Sequence, residues 1–276
     1  MTVVDRIVQL IRETSSSLPE DAVKALRQAM RRERKGSSAA VVLDTILANV
    51  ELAKRQGTPL CQDTGTLTFF VDDGLRRRVT PQVLKRAVAI ATERGYLRRN
   101  TIDSVSGRSY DDNVCEGAPV VHYRPGPGNQ ITLLMKGGGS ENMSRQYSLP
   151  DSSLGAGRDL DGVRKCVLDA VVKAQGYGCA PGILGVCIGG DRATGYEVAK
   201  LQLLRPLTDR NENRRLAGLE RKLLEDANKL GIGPMGLGGS TTLLGVKIAD
   251  RPRVPASFFV TVAYLCWAAR RRTIEV

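Results

Sequence analysis

The stretch GCAPGILGVCIGGD, Gly178 to Asp191, decides how this chain is read. Its apolar run, Ile183 to Ile188, has the length and composition of a buried strand. Gly189 and Gly190 end the run, and Asp191 is placed as the N-cap of an amphipathic helix. Ahead of the strand, Cys179 stands between a glycine and Ala180-Pro181 on what must be a tight turn. A thiol held there can bind a metal or be exposed as a nucleophile. It is poorly placed as an inert core residue, and its role depends on what the rest of the chain brings to it. Cys187, inside the apolar run, is expected to be buried.

Working outward, the first third is helical. Val4, Ile7, Val8 and Ile11 form one apolar stripe, and Val23, Leu26 and Met30 a second. Between them, Ser17 and Glu20 have capping-box spacing, with Pro19 in the first turn. A third helix starts after Gly36-Ser37-Ser38 and should stop near Gly57. Strands are expected at Leu67–Val71, Ala118–Tyr123 and Ile131–Met135, and helices from Thr80-Pro81 to Gly95, over Asp159–Lys173, and over Glu212–Leu230. A glycine-rich loop from Gly231 then feeds a strand toward Ile248, and Ala256–Arg272 is a β-rich run ending at Cys266 and a basic tail. The expectation is an α/β fold (mixed α+β): a helix-rich N-terminal third, residues 1–56, then mixed sheet flanked by helices. No repeat or Pro/Ser-rich linker divides the chain, so one domain over 1–276 is expected.

The formal net charge is +12. Its clusters, Arg31 to Lys35, Arg76 to Arg78 and Arg270 to Arg272, are separated along the chain, and aromatic residues are only 4%, too few for stacking platforms. We therefore read the basic clusters as solvated faces, as a surface for an acidic partner subunit or as a field for anionic substrates, and nucleic-acid binding as the weaker alternative. No apolar run approaches the roughly 20 residues of a membrane span, and Met1–Thr14 lacks the pattern of a secretory signal. A cytoplasmic protein is expected.

Two loops are dense in chemistry. Cys61-Gln62-Asp63-Thr64-Gly65 packs a thiol, an amide, a carboxylate and a hydroxyl into five residues before a strand. Lys136-Gly137-Gly138-Gly139-Ser140-Glu141-Asn142 follows a strand, and its glycines can turn backbone N–H groups toward an anion, although it is not a P-loop. The one histidine, His122, is read as a strand residue without a ligand role. None of the six cysteines forms a C-x-x-C pair. Cys166 fits a helix core, whereas Cys61, Cys179 and Cys266 each lie at a strand edge. Three such thiolates could hold zinc with an open fourth position, or an iron–sulfur cluster with one iron left for substrate.

CQDTGT, KGGGSEN, GCAPGILGVCIGGD, GIGPMGLGGSTT and SFFVTVAYLCWAARR resemble, in order and spacing, the iron–sulfur (class I) fumarases and L(+)-tartrate dehydratases, in their N-terminal domain or separate α-subunit. The resemblance runs from about Leu43 onward. It implies that Cys61, Cys179 and Cys266 ligate a [4Fe-4S] cluster with one iron not held by protein. It implies Asp63 as an acid/base carboxylate, and Gln62, Arg98 and the backbone around Gly138 as substrate contacts, with Arg99 the neighbour that could replace Arg98. It further implies reversible hydration of a small dicarboxylate, fumarate to L-malate first and dehydration of L(+)-tartrate to oxaloacetate second. A β-subunit is expected to complete the active site with a threonine and further cations. Two positions depart from the family pattern: Met235 stands where glutamine is frequent, and Arg251 to Pro255 lacks a frequent histidine.

Overall fold

The computed structural model describes residues 1–276. The N-terminal third forms α1 (Val3–Ser16), α2 (Glu20–Arg32) and α3 (Ser38–Gln56). There follow β1 (Thr66–Asp72), α4 (Pro81–Glu93), β2 (Val120–Arg124), β3 (Gln130–Lys136), the short α5 (Gly138–Asn142) and β4 (Arg145–Ser148). The remainder is α6 (Leu160–Ala174), β5 (Gly182–Gly189), α7 (Arg192–Gln202), α8 (Arg214–Lys229), β6 (Leu243–Arg251), β7 (Phe259–Leu265) and β8 (Arg270–Glu275). This is the mixed α/β chain with a helix-rich start that the periodicity implied. The expected cap is present: Asp191 accepts from the Ala193 and Thr194 N–H groups to open α7, and Thr80 and Asp159 cap α4 and α6 where those helices were expected to begin.

The capping box lies elsewhere. It is Thr2 with Asp5 at the start of α1, while Ser17 is the C-cap of that helix and donates its hydroxyl to the Glu13 carbonyl at 2.7 Å. Because α2 begins directly after Pro19, Ser17 is too far upstream to cap it and instead satisfies a carbonyl at the end of α1.

By Cα proximity the chain groups into two units, one of residues 1–19, 48–138 and 268–276, the other of 20–47 and 139–267. The first is built on a four-stranded mixed sheet, order β2-β1-β3-β8, with β1 parallel to β2 and antiparallel to β3. Alternation along β1 and β3 sends Leu67, Phe69, Val71, Ile131, Leu133 and Met135 to one face, where they pack with Ile7, Leu10 and Ile11 of α1 and Leu84, Val88 and Ala91 of α4. Burying side chains of this size contributes about 1.5–3 kcal/mol each.

The second unit has the order β4-β7-β5-β6. β5 is buried at all eight positions, parallel to β6 and antiparallel to β7. Leu184, Val186 and Ile188 join a core with α6 and α8, including Cys166 and Leu223. Against Gly185 the backbone of α7 packs so closely that a Cβ there would overlap the Ala199 carbonyl. Cys187 and Cys166 are both fully buried, as expected.

The basic tail is not a tail. Arg270 to Arg272 begin β8, paired with Met135, Leu134 and Leu133 of β3. Arg270 is 1% exposed and Arg271 7%, so this cluster is no solvated face, whereas Arg76 to Arg78 and Arg31, Arg32, Arg34 and Lys35 are exposed. Antiparallel pairing with an apolar strand carries the arginine stems inward along it.

Candidate functional site

In the first unit, antiparallel pairing of Thr66 with Lys136 and of Met135 with Arg270 brings three segments to one sheet end: the loop before β1, the loop after β3 and the start of β8. The Cys61–Gly65 loop is anchored there. The Leu60 N–H donates to the Ser15 carbonyl at 2.8 Å, and Asn49 Nδ2 donates to the Leu60 carbonyl at 3.0 Å. Thr64 is buried, and its Oγ1 accepts from the Arg98 N–H at 3.3 Å and from Asn100 Nδ2 at 3.2 Å. Gly65, at φ +77, lets the loop lie on β3, since a Cβ would meet the Lys136 carbonyl oxygen at 2.5 Å.

The anion that the glycine-rich loop holds in this fold is the protein's own carboxylate. The Gly138 N–H donates to Asp63 Oδ2 at 2.8 Å, and Asp63 makes no other protein contact of this kind, so Oδ1 is available. A backbone N–H on a carboxylate is a charge-assisted bond, about 1.5–3 kcal/mol. At Gly137 a Cβ would stand 2.8 Å from Asp63 Oδ2 and 3.7 Å from Arg270 Nη2.

Arg98 and Arg99 part company. Arg98 Nη1 donates to Gln62 Oε1 at 3.3 Å, in the loop of Asp63, whereas Arg99 pairs with Asp111 at 3.3 Å, both exposed. Asn113, buried at φ 61, holds this segment in shape. Its Oδ1 accepts from the N–H groups of Asn100 (2.8 Å) and Thr101 (3.0 Å), and its Nδ2 donates to the Arg98 carbonyl (2.7 Å) and Thr92 Oγ1 (3.1 Å). His122 stacks on Phe70 in the sheet, ring centroids 5.2 Å apart.

In the second unit, the start of β5 and the end of β7 share one sheet end, with Ile183 opposite Leu265. Cys179, three residues before β5, and Cys266, one after β7, are thereby drawn together, and the Trp267 N–H donates to the Cys179 carbonyl at 3.1 Å. Cys179 has φ +53, a conformation uncommon outside glycine and costing of order 1–3 kcal/mol, so the surrounding structure must impose it. It does so through backbone bonds: Cys179 N–H to Gly176 O at 3.0 Å, Met235 N–H to Ala180 O at 2.9 Å and Gly182 N–H to Thr242 O at 3.0 Å. Tyr264 of β7 lies flat against the turn, filling the space that a Cβ at Gly178 or Gly182 would take. Its hydroxyl is buried without a hydrogen-bond partner, an arrangement costing about 1–3 kcal/mol. Burial, and then the nearby Cys266 and Cys179 thiols, push the ionisation of Tyr264 well above the ordinary phenol range.

The fumarate hydratase (fumerase) family model matches residues 4–275. The chain belongs to the fumarate hydratase family. It is 48% identical to a putative class I fumarate hydratase of Geobacillus stearothermophilus over 99% of this chain but 54% of that protein, so it spans about half the length of this relative. It is 34% identical to a putative L(+)-tartrate dehydratase subunit alpha of Methanocaldococcus jannaschii, covering 98% of this chain and 96% of that one. With the L(+)-tartrate dehydratase subunit alpha of Escherichia coli it shares 33%, over 95% of this chain and 86% of the subunit.

In donor chemistry, cysteine thiols are the ligand type that an iron–sulfur group takes. Cys61, Cys179 and Cys266 are all partly exposed thiols outside any disulfide, and the last two share one sheet end beside an orphaned buried hydroxyl. No three or more His, Cys, Asp or Glu side chains gather round one point. Of the two departures, Met235 is part of the Cys179 turn through its backbone, at φ +53, while Arg253 donates to the carbonyls of Val254, Pro255 and Ser257 and stacks on Phe258 at 4.5 Å. Thr64, Asn100, Asn113, Tyr264 and Arg270 carry no local signal of a role, and their importance comes only from long-range contacts.

Proposed function

We propose that this chain is the α-subunit-type component of a [4Fe-4S]-dependent hydro-lyase that interconverts fumarate and L-malate, its 276 residues serving as one catalytic domain. What carries the reading is the Asp63 carboxylate: one oxygen is fixed by the Gly138 N–H, the other is available, and the Gln62–Arg98 pair arises from the same loop. Greater identity to a fumarate hydratase, 48% against 34% and 33% for the tartrate dehydratase subunits, supports fumarate as the substrate.

Cys61, Cys179 and Cys266 would hold the cluster, which when bound supplies an open iron as Lewis acid for a hydroxyl leaving group. Asp63 Oδ1 exchanges a proton at the reacting carbon, with the carboxylate kept in one orientation by the bond to Oδ2. Arg98, steadied by Gln62 and by Asn113 behind it, offers a guanidinium fork to a substrate carboxylate. The backbone at Gly138 lines the substrate beside Asp63. A β-subunit completes the site and supplies the complementary proton transfer. Fixing the reacting groups in this way can contribute on the order of 7 kcal/mol or more to lowering the barrier.

The two tartrate dehydratase relatives carry the name subunit alpha, which supports a partner subunit and keeps L(+)-tartrate as the second substrate reading. The test is anaerobic reconstitution of the chain with iron and sulfide, alone and co-expressed with a β-subunit, followed by assay on malate, fumarate and both tartrate enantiomers. Broad visible absorbance and turnover of malate and fumarate only in the pair are expected. A colourless protein after reconstitution overturns the cluster, and turnover confined to L(+)-tartrate overturns the fumarate assignment.

A further inference from the structure

Tyr264 is a hydroxyl in a place built for a phenyl ring. The side chain is 2% exposed, and its ring seats on the glycines at 178 and 182. Gly182 is needed at the hydroxyl end of the ring, because a Cβ there would stand 2.5 Å from the oxygen. The oxygen itself finds no acceptor in the protein. Yet Tyr264 is two residues from Cys266 and lies against the turn that carries Cys179, the two thiols that antiparallel pairing of β5 and β7 brings together. The thiols of Cys266 and Cys179 are near enough to act electrostatically on that hydroxyl, although neither is its hydrogen-bond partner in the protein alone.

We propose that the Tyr264 hydroxyl donates a hydrogen bond to the sulfur set of the bound iron–sulfur group, a thiolate of Cys179 or Cys266 or a cluster sulfide, and raises the reduction potential of that group. Tyr264 is a positioning and tuning residue that acts through the cluster. The inference rests on the cluster reading above. Its physical basis is that a donor aimed at sulfur stabilises the more negative, reduced state more than the oxidised one. It also draws electron density from the thiolates, which slows oxidative loss of the cluster.

The test compares the wild-type chain with Tyr264→Phe, which keeps the ring that fills the glycine cradle, and with a chain carrying 3-fluorotyrosine at position 264, a stronger O–H donor. All three are reconstituted anaerobically with iron and sulfide, normalised to bound iron, and poised electrochemically while the reduced cluster is followed by EPR. The expected midpoint order is Phe lowest, wild type next and fluorotyrosine highest, with several-fold faster bleaching in air for Phe. The wild-type spectrum after exchange into D2O should carry a deuteron coupling that the Phe variant lacks. Equal midpoints with equal deuteron couplings overturn the role of Tyr264 while leaving the cluster standing. A wild type that takes up no iron overturns both. If Tyr264→Phe fails to hold a cluster, the fluorotyrosine chain decides: an upward shift supports the bond, and an unchanged midpoint refutes it.

Discussion

Gly137→Ala is the most informative small change at this site. The glycine lies outside the left-handed region, so alanine meets no backbone strain, and what a Cβ would touch first is the end of the Asp63 side chain. It would stand 2.8 Å from Asp63 Oδ2, where ordinary contact begins at 3.4 Å, so the carboxylate must retreat by about 0.6 Å. That retreat stretches the 2.8 Å bond from the Gly138 N–H and turns Oδ1 away from its working position. A misplacement of about 1 Å costs roughly a hundred-fold in rate, so a loss in kcat between about ten- and a hundred-fold is expected, about 1.4–2.7 kcal/mol of barrier. Stability should hardly change, since replacing glycine at a compatible position contributes about 0.4–1 kcal/mol through the unfolded chain and offsets the side-chain shift. The assay is the initial rate of fumarate hydration by the reconstituted αβ protein, followed by loss of ultraviolet absorbance and normalised to iron, with a thermal melt alongside. Wild-type kcat in the variant would refute the claim that Asp63 is held in a working position by this loop. A collapse of the melting temperature matching the loss of rate would show the contact to be structural.

Other outcomes follow from the same geometry. Asp63→Asn should keep the cluster absorbance and lose on the order of 10²–10⁴ in turnover, and normal turnover would remove its acid/base role. Cys179→Ala should not retain the visible absorbance after reconstitution, with metal analysis showing iron absent and no zinc in its place. Asn113→Ala removes four hydrogen bonds from a buried side chain at φ 61 and should destabilise the protein by about 2–4 kcal/mol by denaturant titration, while Arg99→Ala, at an exposed pair, should change it by less than about 1 kcal/mol. Burial pushes the Cys166 and Cys187 thiols from 9.0 up to about 11. Folding therefore favours their protonated forms, so this contribution is fully present below about pH 9 and is lost as pH rises through about 11. Unfolding curves across that window should be less steep in pH for the Cys166→Ala/Cys187→Ala double variant, and an unchanged slope would refute it.

Much of this protein was legible along the chain because its signals are local. The apolar run Ile183–Ile188 is β5, and Asp159 and Asp191 cap α6 and α7 because short polar side chains bond the orphan N–H groups of a helix start wherever it lies. The density of groups in Cys61–Gly65 and the glycines at 137 to 139 are local signals of the same kind. The four-residue β4 is too short for alternation to show along the chain. In β8, three arginines mask a strand that only its partner β3 reveals.

The amino-acid sequence by itself determined the helices, most strands, the three strand-edge cysteines and membership of a family, all read from windows of a few residues or from ordered motifs. Tertiary structure alone decided that the glycine-rich loop holds Asp63, that Arg98 and not Arg99 turns toward Gln62, that Arg270 is buried, and that Cys179 and Cys266 share a sheet end under Tyr264. The reason is register. Which loops meet at the end of a sheet is set by the pairing of strands far apart in the chain, and no local pattern carries that pairing.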